Sequence, residues 1–204
     1  CSSDRWNATV ERRPAMIARC TGAADVIAAV KFAAMHNVLT AVRGGGHNIA
    51  GSALSDGGLT MDLSNMRSVD VDPAQKTVRV QGGALLADVD HETQAFGLAV
   101  PFGINSTTGV AGLTLGGGFG WMSRAFAHAA DNLLSADIVT ADGNYRRISD
   151  TQEPDLFWAI RGGGGNFGVV TSFEFRCHPI GPMITAAPGI HLLEDARDAS
   201  REYR

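Results

Sequence analysis

Short apolar runs alternate with turn and capping signals along the whole chain. Residues 16–20 read as a strand. Thr21 can cap a helix over about 23–36, in which Val26, Val30, Ala33 and Ala34 share one apolar face, with Asn37 as its stop. Residues 38–42 form a second apolar strand, so the pattern predicts a βαβ unit: a small parallel sheet with a right-handed crossover. Residues 59–63 read as a further strand. Residues 69–71 and 77–80 alternate around Asp72-Pro73-Ala74 and predict a hairpin. Residues 84–96 form a helix closed by Gly97. The stretch 101–120, rich in Gly, Ser and Thr, reads as a loop. Residues 133–140 and 145–148 predict a second hairpin, 153–160 a short helix with Pro154 in its first turn, and 168–178 a long strand. Trp121 and Trp158 read as core. The mixture is α+β, as a small parallel unit followed by hairpins and helices.

Composition narrows the function. Hydrophobic residues make up 45% of the 204, enough to bury a sizeable core. The net charge is -4 and only Lys31 and Lys76 are lysines, so nucleic acid and anionic membranes are not expected partners. No apolar run approaches the roughly 20 residues of a membrane span. Cys1, Cys20 and Cys177 form no Cys-x-x-Cys pair, and Cys20 and Cys177 lie in apolar stretches. A reducing compartment, hence the cytoplasm, is the expectation. The chain begins at Cys1 without Met, and residues 193–204 read as a helix newly begun, so a truncated chain is expected.

Glycine is over-represented: 25 residues, against roughly 14 at ordinary usage of about 7%. Three clusters stand out. Arg43-Gly44-Gly45-Gly46-His47-Asn48 follows an apolar strand, and successive glycine amides can point into one concavity and hold an anion. The spacing matches neither the G-x-G-x-x-G fingerprint nor a P-loop, and taken alone it leaves a phosphate role open. The second cluster, 103–120, offers backbone donors and the hydroxyls of Thr107 and Thr108. The third, 161–168, ends in Asn166-Phe167-Gly168 before a strand. Three such loops suit a long ligand, a dinucleotide above a mononucleotide. The remaining histidines, His36, His91, His128, His178 and His191, show no ligand spacing.

The strings RGGGHNIAG, GVAGLTLGGGFGW, DNLLSADIVTADG and LFWAIRGGGGNFGVVTSFEF, in this order, closely resemble the berberine-bridge-enzyme-like family. Those proteins are vanillyl-alcohol-oxidase-type flavoproteins with a PCMH-type FAD domain. The resemblance spans about 13–179. It implies a PCMH-type FAD-binding domain over 1–180, made of two α/β subdomains (roughly 1–100 and 101–180), with a small parallel βαβ-containing sheet and a mixed or antiparallel sheet flanked by helices. Residues 181–204 would begin a truncated substrate-binding domain. It further implies FAD as cofactor, a small-molecule substrate, and His47 bonded to the 8α-methyl carbon of the flavin. Some members add a cysteine tether in the second loop, at the position matching Asn105. No cysteine occurs from Thr21 to Arg176, so a single tether is what remains.

Further cofactor contacts carried over by the resemblance are Arg43, Gly44, Gly45, Gly46, Asn48, Gly51, Leu63, Gly103, Asn105, Thr107, Thr108, Gly109, Gly112, Leu113, Gly116, Gly117, Gly168, Val169 and Val170. Leu113 stands where plant members have a histidine, which puts that ribityl contact in doubt. Val170 also reads as plain core. The implied chemistry is transfer of hydride from a substrate C–H bond to flavin N5, with oxygen as the reoxidant. A cofactor-holding module without turnover and a non-covalent FAD reductase are the alternatives.

Overall fold

The computed structural model describes residues 6–183, 185 and 191–202. Strand β1 (Met16–Arg19) leads into helix α1 (Ala23–His36), β2 (Thr40–Arg43) and, after the first glycine loop, β3 (Leu59–Asp62). All three strands are parallel, but β3 lies between β1 and β2. The crossover through α1 therefore skips one strand position. Thr21 does not accept a bond from α1. Its N–H and hydroxyl donate to Asp25 Oδ2 at 2.8 and 2.7 Å, and Gly22 occupies the capping position. Asn37 ends α1 in the left-handed conformation at φ 49°. The buried face of α1 is Val26, Ala29, Val30 and Ala33, whereas Ala34 is exposed. These side chains pack on Met61 and Leu63 and on Val139 and Val169 from the second sheet.

Strands β4 (Val69–Asp72) and β5 (Thr77–Gln81) form the first hairpin, and α2 (Leu86–Gln94) and the two-residue β6 (Leu98–Ala99) follow. The stretch expected to be a loop contains α3 (Val110–Leu115). Gly112 and Thr114 are poor helix formers, which hid it; it forms because Val110, Ala111 and Leu115 are drawn into the core. Next come α4 (Ser123–Phe126), β7 (Leu133–Val139), β8 (Tyr145–Ser149), α5 (Pro154–Ile160), β9 (Val169–Arg176) and β10 (His178–Pro179). A single 3-10 turn, Leu193–Asp195, precedes α6 (Ala196–Glu202). The last two residues of the expected terminal helix lie outside the described residues.

The large sheet is antiparallel throughout, in the order β4-β5-β9-β7-β8. The first hairpin belongs to it, so the chain passes from the small sheet to the large one between Asp62 and Val69. Strand alternation sends Val78, Val80, Ala136, Ile138, Ile148, Phe173 and Phe175 to one face. They meet Leu86 and Val89 of α2 and Phe157 and Ile160 of α5 there. The other face is polar: Arg79 is ion-paired with Asp137, and Ser135 donates to Glu174, which also receives Arg147. A bulge breaks the alternation. Asp137 pairs with Ser172 but Ile138 with Val170, leaving Thr171 as the extra residue. Val170 thereby joins the large core and Val169 the small one.

Trp121 and Trp158 are not core; both are exposed. On α5, Phe157 and Ile160 take the inward positions, which leaves Trp158 outward. Trp121 lies in the turn before α4. Cys20 and Cys177 are buried free thiols, and burial raises each to about 11.

Candidate functional site

The first glycine loop leaves the end of β2 beside Arg43, which is buried and ion-paired with buried Asp62 at 3.1 Å. This pair joins the ends of the neighbouring strands β2 and β3 and fixes where the loop departs. Gly45 then lies directly on the second loop. A Cβ there would stand 2.3 Å from Gly109 N, and one on Gly109 would stand 2.3 Å from Gly45 N. Two backbones in van der Waals contact permit only glycine on both sides. Gly109 is held in turn by an isolated antiparallel bridge to Leu85, with Leu86 N–H on Thr108 O and Val110 N–H on Ala84 O, each at 2.9 Å.

A second pair of glycines completes the junction. Gly82 and Gly83 follow β5, and a Cβ on Gly44 would come within 3.2 Å of Gly82 O. Gly82 donates its N–H to Thr171 O, the bulged residue, at 2.9 Å. A Cβ on Gly83 would run into Leu63 O at 1.7 Å, so buried Leu63 forms the floor beneath it. The bulge in β9 thus supports Gly82, and Gly82 supports the first loop.

His47 sits at this junction. Its Nε2 is 2.8 Å from Thr107 Oγ1 and its Nδ1 is 3.4 Å from Thr108 Oγ1. Trp6 stacks on the imidazole, with centroids 4.5 Å apart and planes 18° apart, and donates its backbone N–H to Gly46 O. Burial lowers the His47 pKa below the usual histidine value, opposed by a hydrogen bond to the backbone of Thr107. Beside it opens a cavity of about 430 Å³, lined by Trp6, Arg43, Gly44, Gly45, His47, Ser64, Arg67, Gly83, Leu85 and Thr107.

The lining suits a diphosphate. Among the described residues, the backbone N–H groups of Gly45, Gly46 and His47 donate to no protein acceptor, and Gly45 and His47 line the cavity. Successive free amides beside a cation make an anion cradle. The cation is Arg67, whose Nε donates to Asp88 Oδ2 at 2.9 Å and whose Nη2 donates to Asp88 Oδ1. Asp88 also accepts Leu85 N–H at 2.8 Å and so caps α2.

Several other carried-over residues lie away from this cavity. Asn48 Oδ1 accepts Ser52 N–H at 2.9 Å and closes the turn after His47. Gly51, at φ +77°, packs against Val10. Gly103 lies against Leu113. Gly112 and Gly116 are exposed on α3 and at its end, and Gly117 turns the chain at φ +99°. Gly168, at φ +146°, lies against Val139 O, and Val169 and Val170 are buried. The third glycine loop meets the opposite end of α3, where Gly162 N–H donates to Leu115 O at 3.1 Å. Trp6, Ser64, Arg67, Gly82, Gly83 and Leu85 were not singled out from the sequence. The adjacent glycines 82 and 83 were a usable signal. Arg67 and Trp6 carry none, because only tertiary contact brings them to the cavity.

The FAD binding domain family matches residues 14–149. (R)-6-hydroxynicotine oxidase of Paenarthrobacter nicotinovorans is 39% identical over 206 residues, covering 97% of this chain and 45% of that protein. The crystal structure of 6-hydroxy-D-nicotine oxidase from Arthrobacter nicotinovorans superposes with a TM-score of 0.84 at 41% identity, covering 86% of this chain and 39% of that one. Glucooligosaccharide oxidase of Acremonium strictum, described with a 6-S-cysteinyl, 8α-N1-histidyl FAD, gives 0.81 at 36% identity, covering 85% and 37%. This chain thus spans less than half the length of these relatives. Among the described residues no helix is long and apolar enough to cross a membrane. The glycine cradle, the Arg67 cation and the histidine at the loop junction accord with these matches: the chain belongs to the FAD binding domain family, among the berberine-bridge-enzyme-like, vanillyl-alcohol-oxidase-type flavoproteins, and its cofactor is FAD.

Proposed function

We propose that this chain is the FAD-binding portion, over 1–180, of an FAD-linked oxidase that holds its flavin by a single covalent bond from His47. Residues 181–204 then begin a substrate-binding domain. When bound, FAD supplies a hydride acceptor at N5 for a C–H bond of an alcohol, sugar or amine, and a route for the electrons to oxygen. The residues of this chain bind and orient it. The free amides of Gly45, Gly46 and His47, with Arg67, take the diphosphate. The packed backbones of Gly45 and Gly109 keep the two loops at a fixed separation, so the imidazole is placed before the cofactor arrives.

The observation that carries this reading is the place of His47: ring-stacked and hydrogen-bonded where the two glycine loops touch. Asn105 occupies the second-loop position where doubly tethered members have cysteine, which favours one bond. The short span relative to the known oxidases favours a division of labour, in which the proton-accepting base and most substrate contacts come from the rest of a longer chain.

Denaturation tests the tether. Yellow colour and flavin fluorescence are expected to stay with the polypeptide after precipitation in acid, and to be lost in His47→Ala. Release of all flavin from the wild type would instead favour a non-covalent flavoprotein.

A further inference from the structure

An imidazole attacks through the nitrogen that lacks a proton, so the partner of the other nitrogen decides where a bond can form. In this chain that partner follows by elimination. Asn105 Oδ1 faces the backbone N–H of Thr107 at 3.0 Å. Only an oxygen can accept there, which settles the orientation of the amide. The same oxygen lies 2.8 Å from Thr107 Oγ1 and has no hydrogen to give, so it takes the single hydroxyl proton. Thr107 Oγ1 is left with lone pairs facing His47 Nε2 at 2.8 Å. Nε2 must carry the ring proton, and Nδ1 holds the lone pair. Thr108 Oγ1 lies 3.4 Å from Nδ1, beyond the usual hydrogen-bond length. Trp6, stacked on the ring face, opposes rotation that would exchange the nitrogens.

We infer that Asn105 and Thr107 are positioning residues for flavin attachment, holding His47 as the Nε2–H tautomer so that Nδ1 forms the bond to the 8α-carbon. The inference rests on the covalent reading above. At the position where doubly tethered relatives carry their second bond, this chain instead has the first link of a relay that aims the one bond it makes. The step balances with oxygen as the oxidant. The Nδ1 lone pair forms an N–C bond while a C–H bond of the 8α-methyl breaks. One proton leaves that carbon and one leaves Nε2, and two electrons enter the ring system. Dioxygen then takes two electrons and two protons and departs as hydrogen peroxide.

The test has two arms. Nitrogen-15 NMR of the full chain without cofactor, labelled at histidine, reads the protonated nitrogen directly. The wild type is expected to show Nε2–H, and Thr107→Val a mixture of tautomers. In the second arm, FAD is added to the same preparations and the flavin retained by the denatured chain is followed in time. Thr107→Val and Asn105→Ala are expected to attach FAD about tenfold more slowly, the equivalent of one neutral hydrogen bond. Thr107→Ser is expected to restore the rate. Because Thr107 is exposed, its variants keep the fold. Attachment of wild-type flavin at Nε2, an Nδ1–H tautomer in the free chain, or Thr107→Val attaching FAD at the wild-type rate would overturn the inference and leave His47 as the tether. A wild-type chain that retains no flavin would overturn the covalent reading instead, and the tautomer measurement would still test the relay.

Discussion

Gly44-Gly45-Gly46 and Gly162-Gly163-Gly164-Gly165 look alike as sequence and differ in physical cause. In the first run, a Cβ on Gly45 would meet Gly109 N at 2.3 Å, and one on Gly44 would meet Gly82 O at 3.2 Å. In the second, Gly162 and Gly165 have nothing within 4 Å of an added Cβ. Gly162 and Gly164 need glycine for their angles, φ +116° and +72°, whereas Gly165 has an ordinary φ of -83°. Gly44 and Gly45 are glycine because a distant segment of chain approaches them closely, with Gly46 turning the chain at φ +72°, whereas in the second run Gly162 and Gly164 turn the chain and the close neighbours of Gly163 are local, Ala159 O and Phe167. Close approach is what a cofactor cradle requires.

The largest effect should follow from filling that contact. Gly45→Ala is expected to destabilise the fold by about 3 kcal/mol, the upper range of an overpacked interior, and to abolish FAD retention. Urea denaturation and flavin content measure the two, and an unchanged midpoint would sink the claim that the loops touch. Removing the anchor beneath the loop should come close. Asp62→Ala removes a buried carboxylate from the Arg43 guanidinium and is expected to lose about 3 kcal/mol.

The same carboxylate predicts an acid dependence. Burial pulls the pKa of Asp62 upward, but its bonds from Ser64 and the Arg43 charge outweigh this and hold it below the usual range. A group depressed in the folded state adds stability above its unfolded pKa, about 3.9, and this stability is lost as pH falls through the folded value. Wild-type stability should therefore fall more steeply below about pH 4 than that of Asp62→Asn. Parallel curves would assign the pair no role in acid.

Two smaller changes sharpen the contrast between runs. Ala127 adopts φ 63° and ψ -161°, a region open essentially to glycine alone, and Asn132 Nδ2 clamps it by donating to Phe126 O and His128 O, each at 2.8 Å. Ala127→Gly is expected to stabilise by about 1 kcal/mol in thermal unfolding. Gly165→Ala should change stability by no more than about 0.5 kcal/mol and leave FAD content unaltered. A large loss there would mean that the third loop is as tightly enclosed as the first.

Much of the fold was legible because its signals are local. The period of α1, the stop at Asn37, Pro154 in the first turn of α5 and both hairpins are written within a few residues of where they act. What escaped depends on distant contacts. Residues 110–115 look like loop until the core claims Val110 and Leu115, and β3 could be placed between β1 and β2 only by pairing. The site divides in the same way. His47, Thr107 and the glycines stand in recognisable strings. Arg67 reaches the cavity because Asp88 holds it 21 residues away in sequence, and Trp6 because Gly46 O accepts its backbone N–H.

The central claim, that His47 carries the cofactor, is tested most directly by peptide mapping. Trypsin cuts after Arg43 and Arg67, giving one fragment, 44–67, that contains His47 and no other histidine. The account predicts that this fragment from the purified protein carries the added mass of one FAD and absorbs visible light. Recovery of the bare 44–67 fragment alongside free FAD, or of flavin on any other fragment, would contradict it.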